Sequence, residues 1–294
     1  MITGYSNIIS ATTLPGLLLD VYPSAAAAYS LRKLRDAYAG SAIRVRRSSD
    51  NTEQDIGFVS NQLDTSTLTT FCSGTNGFVT TWYDQSGNGN NVTQSTAGSQ
   101  PQIVNSGSVI NLNGKPTAQF TKANDHKLLN NAFSISGSTT FTFIGSITTP
   151  VTNWSYVFGI GIYGYTTGYQ FTPSTYVTAN DWTAGDLALV GNGYSSGQAP
   201  RFVSNGAQYT SGVQALTLGI LSTSNAKVYK NNSLVSQRIG LTGNVGSNVG
   251  LIIGSNNFYE ALPGNIQELV FWNSDQNSNA NGINTNTNTY YATY

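Results

Sequence analysis

The chain has 294 residues, 13 acidic and 13 basic side chains and no net charge, with only 9% charged residues where soluble domains carry about 25%. With no basic excess, nucleic-acid binding through phosphates is excluded as its main task. One Cys and one His exclude a disulfide framework, a Cys-rich zinc site and a His-pair metal motif.

Polarity comes from Ser, Thr and Asn beside 31 Gly, while 11% aromatic residues argue for a packed core rather than disorder. In chain order, residues 1–22 read as an apolar, Gly- and Pro-punctuated arm for docking or oligomerisation. Residues 23–294 read as one domain. No apolar run is long enough for membrane insertion, and the N-terminus lacks a basic, then apolar, secretory leader. Ser24, four alanines, and Leu31, Leu34 and Tyr38 at helical spacing predict one N-terminal surface helix closed by Gly40. Arg32, Lys33, Arg35 and Asp36 fall on its solvated side.

The period then changes to two. Strands are predicted at Ala42–Arg46, Phe78–Tyr83, Thr139–Ile144, Ser155–Ile162, Leu187–Val190, Leu216–Leu221, Lys227–Tyr229, Gly250–Ile253 and Ile266–Trp272. Asn/Gly turns separate them, and Asn231-Asn232 closes a two-residue hairpin. The fold class is all-β, an antiparallel sandwich. Asn273–Thr289 reads as weakly structured or as a short helix.

The tract Trp82-Tyr83-Asp84-Gln85-Ser86-Gly87-Asn88-Gly89-Asn90-Asn91, with Asp20-Val21-Tyr22, Gly40–Asp50 and Phe71-Cys72 before it, resembles the catalytic domain of the family 54 α-L-arabinofuranosidases. Leu112–Pro116 and Asn257–Glu260 are weaker matches. The run Pro263–Trp272 resembles the last strand of laminin-G-like jelly rolls. The resemblance implies a concanavalin-A-like jelly roll. A retaining glycosidase needs two carboxylates about 5–5.5 Å apart. At the positions that resemble the family's nucleophile and acid/base tracts, this chain reads Gly191-Asn192-Gly193 and Gly254-Ser255-Asn256-Asn257, without a carboxylate. The family's vicinal Cys pair is absent. Cys72 resembles one half of a family disulfide whose other half is Gly77 here, which leaves it a small buried thiol.

Trp154, Tyr163, Trp182, Asp186, Asn192, Tyr194 and Asn256 are the candidate carbohydrate-binding residues, since aromatic faces stack on sugars and amides bond hydroxyls. Asp84, Asn88 and Asn90 form a structural turn or a weak calcium site, the hard cation taking Asp and Asn oxygens. His126 is placed in a polar exposed loop, and Glu268 on the solvent face of its strand. No catalytic residue, no metal and no cofactor other than that calcium is expected.

The expectation is a non-enzymatic virion structural or adhesion protein, resembling phage head fibres, capsid decorations or tail fibres. It would bind glycans and contact other virion proteins and sister subunits through the arm, as a homo-oligomer. Its place would be the virion surface, after assembly in a host cytoplasm; secretion is the alternative. An active glycoside hydrolase of arabinofuranosidase type is the alternative function, its acids drawn from Asp186, Glu260 and Asp84. A structural virion subunit without ligand is the second alternative.

Overall fold

The computed structural model describes residues 16–148, 156–161, 169–174, 186–190, 209–222, 224–240, 248–255 and 261–294; in 169–174, in 186–190 and at 248 it describes the backbone alone. The expected all-β sandwich is present. The front sheet contains β2 (Ile43–Arg47), β3 (Glu53–Ile56), β4 (Gly77–Trp82), β5 (Val92–Thr93), β6 (Gln102–Asn105) and β8 (Leu128–Ile135). It continues through β10 (Phe158–Ile160), β11 (Tyr169–Ser174), β12 (Asp186–Val190) and β16 (Asn248–Ile253). Its spatial order is β3-β2-β4-β5-β8-β16-β10-β11-β12, with β6 also on β4, and every pairing is antiparallel.

The back sheet is centred on β17 (Gly264–Trp272). One of its edges pairs with β1 (Ala25–Ser30) and β7 (Ala118–Phe120), the other with β9 (Thr139–Ile147). Beyond β9 lie β13 (Ala215–Leu221), β14 (Asn225–Lys230) and β15 (Ser233–Ile239). Asn231 and Asn232, both at positive φ, close the β14–β15 hairpin as its sequence predicts. Inward residues of the two sheets interlock as aromatics: Phe158 packs edge-on against Phe141 at 4.9 Å and Phe271 at 4.8 Å.

The N-terminal surface helix is a correction. Ala25–Ser30 is strand β1, and residues 31–40 hold no helix. Ser24 has φ +64, unlike an N-cap residue. An isolated Ala-rich turn is marginal in water. Here both faces of the segment are buried, Ala27 and Tyr29 between the sheets and Ala25 and Ala28 against Leu34 and Trp272, so burial and ladder pairing override propensity.

The long helix is α3 (Ala280–Tyr291), at the other end of the chain. It follows α1 (Leu18–Val21) and α2 (Thr65–Phe71). Its sequence is poor in helix formers. Its buried residues, including Ala280, Ile283, Asn284, Thr287 and Tyr291, recur at helical spacing, and it lies on the outer face of the back sheet. Part of the expected arm belongs to this body. Leu18 and Leu19 are buried, Asn286 donates to the Gly16 carbonyl, and the Trp272 indole donates to the Tyr22 carbonyl. Residues 1–15 lie outside the described residues.

Arg32 and Glu268 also depart from expectation, because α3 roofs the strand face that carries them. Arg32 bonds both Glu268 oxygens, at 2.8 and 3.1 Å, and both side chains are almost fully buried. Ser30 and Tyr291 donate to the same carboxylate, while the Arg32 guanidinium stacks 5.0 Å from the Tyr290 ring and 5.4 Å from that of Tyr291. Glu268→Gln leaves a buried guanidinium without its counter-charge and is expected to cost about 3–5 kcal/mol in urea unfolding. A loss below about 1 kcal/mol would contradict this account of the pair.

Candidate functional site

The site is framed by the outer face of the front sheet and by one of its ends. Phe158, Ile253 and Leu128 lie in the core and pair with one another in that order, and Phe171 and Leu189 share the same register row. Successive strand residues alternate between faces. The neighbouring row Asp55–Arg44–Thr81–Thr93–Leu129–Ile252–Gly159–Gln170–Val190 therefore lies on the outer face. Asp186, paired with Ser174, falls on that face by register, at the start of β12.

Ten of the thirteen acids have described side chains. Most have assigned structural partners. Asp50 and Asp55 are paired with Arg47 and Arg44; the arginine hydrogen bonds hold both carboxyls below their ordinary range. Tyr83, half-buried and bonded to Asp55, is pushed up to about 12 by partial desolvation and that bond. Asp64 caps α2, and its carboxyl is lowered by the Thr67 N–H. Asp125 pairs with Lys127, Asp20 accepts from the Asp36 N–H, Asp275 from the Asn277 N–H, and Glu268 holds Arg32. Glu53 and Asp36 are exposed.

Asp84 is nearly buried and also committed. It accepts the backbone N–H groups of Ala28, Ser86 and Asn90 at 2.8–3.0 Å, and the Ser86 hydroxyl. Asn88 and Asn90 turn their amide N–H groups to the Ala25 and Ala26 carbonyls, and Gln85 clamps Leu34, Ser30 and Arg32 backbone groups. The groups converging on Asp84 are hydrogen-bond donors, a set that does not suit calcium.

The remaining acids are Asp181, Asp186 and Glu260. Their carboxylates lie outside the described side chains, but the strands that flank them are described. Residues 175–185, with Asp181, join the C-terminal end of β11 to Asp186. Glu260 directly precedes Ala261, which bridges Tyr156 beside the end of β16, where the Gly254 N–H bonds the Val157 carbonyl. All three acids thus belong to segments attached at one end of the front sheet.

The candidate sugar-binding residues divide by the same criterion. The segments carrying Trp154, Trp182 and Asn256 attach at that end, and those carrying Tyr163, Asn192 and Tyr194 at the opposite end of β10–β12. These six residues lie outside the described residues.

His126 stands in the loop before β8 and is buried, not exposed. Its Nδ1 lies 3.3 Å from the Thr121 N–H and the Gln119 carbonyl, and burial lowers its pKa. Cys72 is buried and its thiol pKa is raised by burial; a Cβ placed on Gly77 would fall 2.8 Å from its Sγ.

Residues 20–139 match the model of the alpha-L-arabinofuranosidase B catalytic domain. A probable alpha-L-arabinofuranosidase B of Aspergillus flavus is 36% identical over 98 residues, covering 31% of this chain and 19% of the relative. The Penicillium canescens alpha-L-arabinofuranosidase B is 40% identical over 89 residues, covering 27% of this chain and 19% of the relative. The matched segment thus spans about a fifth of the curated relatives' length.

A GH54 α-L-arabinofuranosidase structure soaked with a cyclic sulfate inhibitor superposes with TM-score 0.66 at 18% identity, over 94% of this chain and 64% of the other. An arabinofuranosidase complexed with arabinofuranosyl-alpha-1,2-xylobiose superposes with TM-score 0.59 at the same identity and coverage. At that identity the superpositions establish the shared fold.

These likenesses to α-L-arabinofuranosidases overturn the expectation of a non-enzymatic virion adhesin. That expectation rested on the absence of carboxylates at 191–193 and 254–257, and most of those residues lie outside the described ones. It also overlooked that the segments carrying Asp181, Asp186 and Glu260 attach at one end of the front sheet. Strand order could have revealed that shared attachment; linear spacing could not. Among the described residues no helix is long and apolar enough to cross a membrane.

Two outcomes test the local chemistry. Asp84→Asn turns an N–H₂ group toward backbone donors and is expected to cost about 2–4 kcal/mol, seen as a lowered melting temperature. His126 has a folded pKa below its unfolded value near 6.5, so the unfolded chain binds the extra proton first. Stability is expected to fall as pH drops from about 6.5 toward the lower folded pKa. His126→Gln should flatten that limb in urea titrations; an unchanged limb would assign it to other groups.

Proposed function

We propose that the chain is a glycoside hydrolase acting on α-L-arabinofuranosyl groups. The observation that carries this reading is the match of residues 20–139 to the arabinofuranosidase catalytic domain. The superposition over 94% of the chain supports it with a common sandwich. Asp186 and Glu260 are the proposed carboxylate pair. One would attack the anomeric carbon and the other would protonate the leaving oxygen, then activate water. Their segments attach at the same sheet end, and Asp84 is excluded because its oxygens are occupied by backbone and hydroxyl donors. Trp154, Trp182 and Asn256, on segments at the same end, are proposed to shape the sugar pocket. The chain needs no metal for this chemistry, since two carboxylates supply both acid and nucleophile.

The test is release of 4-nitrophenol from 4-nitrophenyl α-L-arabinofuranoside. The wild-type chain is expected to turn over, and Asp186→Asn and Glu260→Gln each to lose about 10²–10⁴-fold in kcat. Absence of wild-type turnover on arabinofuranosides would overturn the proposal. Full activity in either variant would remove that acid from the pair.

A further inference from the structure

We propose that the groove between β5 and β8 is a binding subsite for a neutral polysaccharide chain, which it holds across the outer face of the front sheet. This deepens the hydrolase reading and rests on it for the kind of sugar: a polymer bearing arabinofuranosyl groups.

The groove has a volume of about 450 Å³ and lies on the face that carries Asp186 by register. It exists because β5 is only two residues long and meets β8 at one pair, Thr93↔Leu129. The register of β8 on β16 also shifts between Asn130 and Ser134. Both walls are braced by side-chain amides. The Asn130 Oδ1 accepts the Ala132 and Phe133 N–H groups, and its Nδ2 donates to the Asn91 carbonyl. The Gln94 Oε1 accepts the Thr96 N–H, and its Nε2 donates to the Lys127 carbonyl. The frame is thus fixed before a ligand arrives, which lowers the ordering cost of binding.

Three other groups in the groove are unspent. Among the described residues, the Thr93 and Ser95 hydroxyls and the Asn131 carboxamide make no hydrogen bond within the chain. Half-buried Leu129 adds an apolar surface between them. Among the described residues no charged side chain lines the groove. Hydroxyls and amides around a small apolar floor match a neutral sugar, with its ring of hydroxyls and its C–H face. A phosphate or acidic glycan would need cations. A protein interface would bring aromatic and Arg anchors.

The groove is also placed to serve the proposed acids. From Leu129 the outer row runs through Ile252, Gly159 and Gln170 to Val190 on β12. Four inter-strand steps of about 4.8 Å, with the four residues of about 3.4 Å each from Val190 back to Asp186, make roughly 23 Å, the reach of a short oligosaccharide rather than of one sugar.

Affinity electrophoresis through gels containing soluble arabinan or arabinoxylan tests this, with the double variant Thr93→Val/Asn131→Ala. The wild-type chain is expected to be retarded, and the variant to bind about tenfold more weakly, two hydrogen bonds being lost. Melting curves check that the variant is folded. In turnover, the ratio of kcat/KM on the polymer to that on the nitrophenyl arabinofuranoside should fall by a similar factor. Equal retardation of both proteins, or an unchanged ratio, overturns the subsite. If the wild type releases nitrophenol yet is not retarded, the subsite fails and the hydrolase reading stands. If retardation is lost in the variant while the wild type cleaves nothing, the subsite stands and the hydrolase reading fails.

Discussion

The fold turns on one buried carboxylate. Asp84 gathers N–H groups from its own turn and from Ala28 in β1, and so joins the end of β4 in the front sheet to the edge strand of the back sheet. Around it Gln85, Asn88 and Asn90 satisfy the backbone of residues 25–34, groups that would be costly to bury unpaired. The most conspicuous tract of the sequence is therefore a clamp between sheets. It explains how a polyalanine segment is held extended, and why Asp84, for all its prominence, is spent as a ligand for the backbone.

A second buried charge acts on the other side of the back sheet. Glu268 sits in β17, where the strand alternation brings it beneath α3 rather than to water. Arg32, Ser30 and Tyr291 meet its demands from three separate parts of the chain. Such a pair adds little net stability over apolar residues, but it tolerates no missing partner. It fixes the seating of α3, whose Asn- and Thr-rich sequence has weak helical preference of its own.

Most strands were legible because their alternation is local, as in Thr139–Ile144 and the hairpin about Asn231-Asn232. The errors came where burial is two-sided or decided by a distant partner. Ala25–Ser30 has no alternation to read, since both its faces are covered. Helix α3, one of two readings of Asn273–Thr289, hides its stripe because Asn284 and Thr287 lie on the buried face. Glu268 and His126 are polar residues that sequence places in solvent, and only tertiary cover reveals their burial. The acids were visible as residues but not as a group. Asp181, Asp186 and Glu260 are separated by up to 79 positions, and only the pairing of β11, β12, β10 and β16 relates them.

The position of β17 has a consequence for how the chain is made. It is the centre of the back sheet, flanked by β1, β7 and β9, yet it follows all three in the chain. During synthesis its three partners emerge with their shared neighbour missing, their inward faces waiting for Leu269 and Phe271. The back sheet closes only after β17 has been made, so its pairings wait for the strand that comes last of the four. Long-range closure of that kind is slow and leaves strand edges exposed meanwhile. The scarcity of charge, harmless in the finished sandwich, gives the nascent chain little electrostatic protection during that interval.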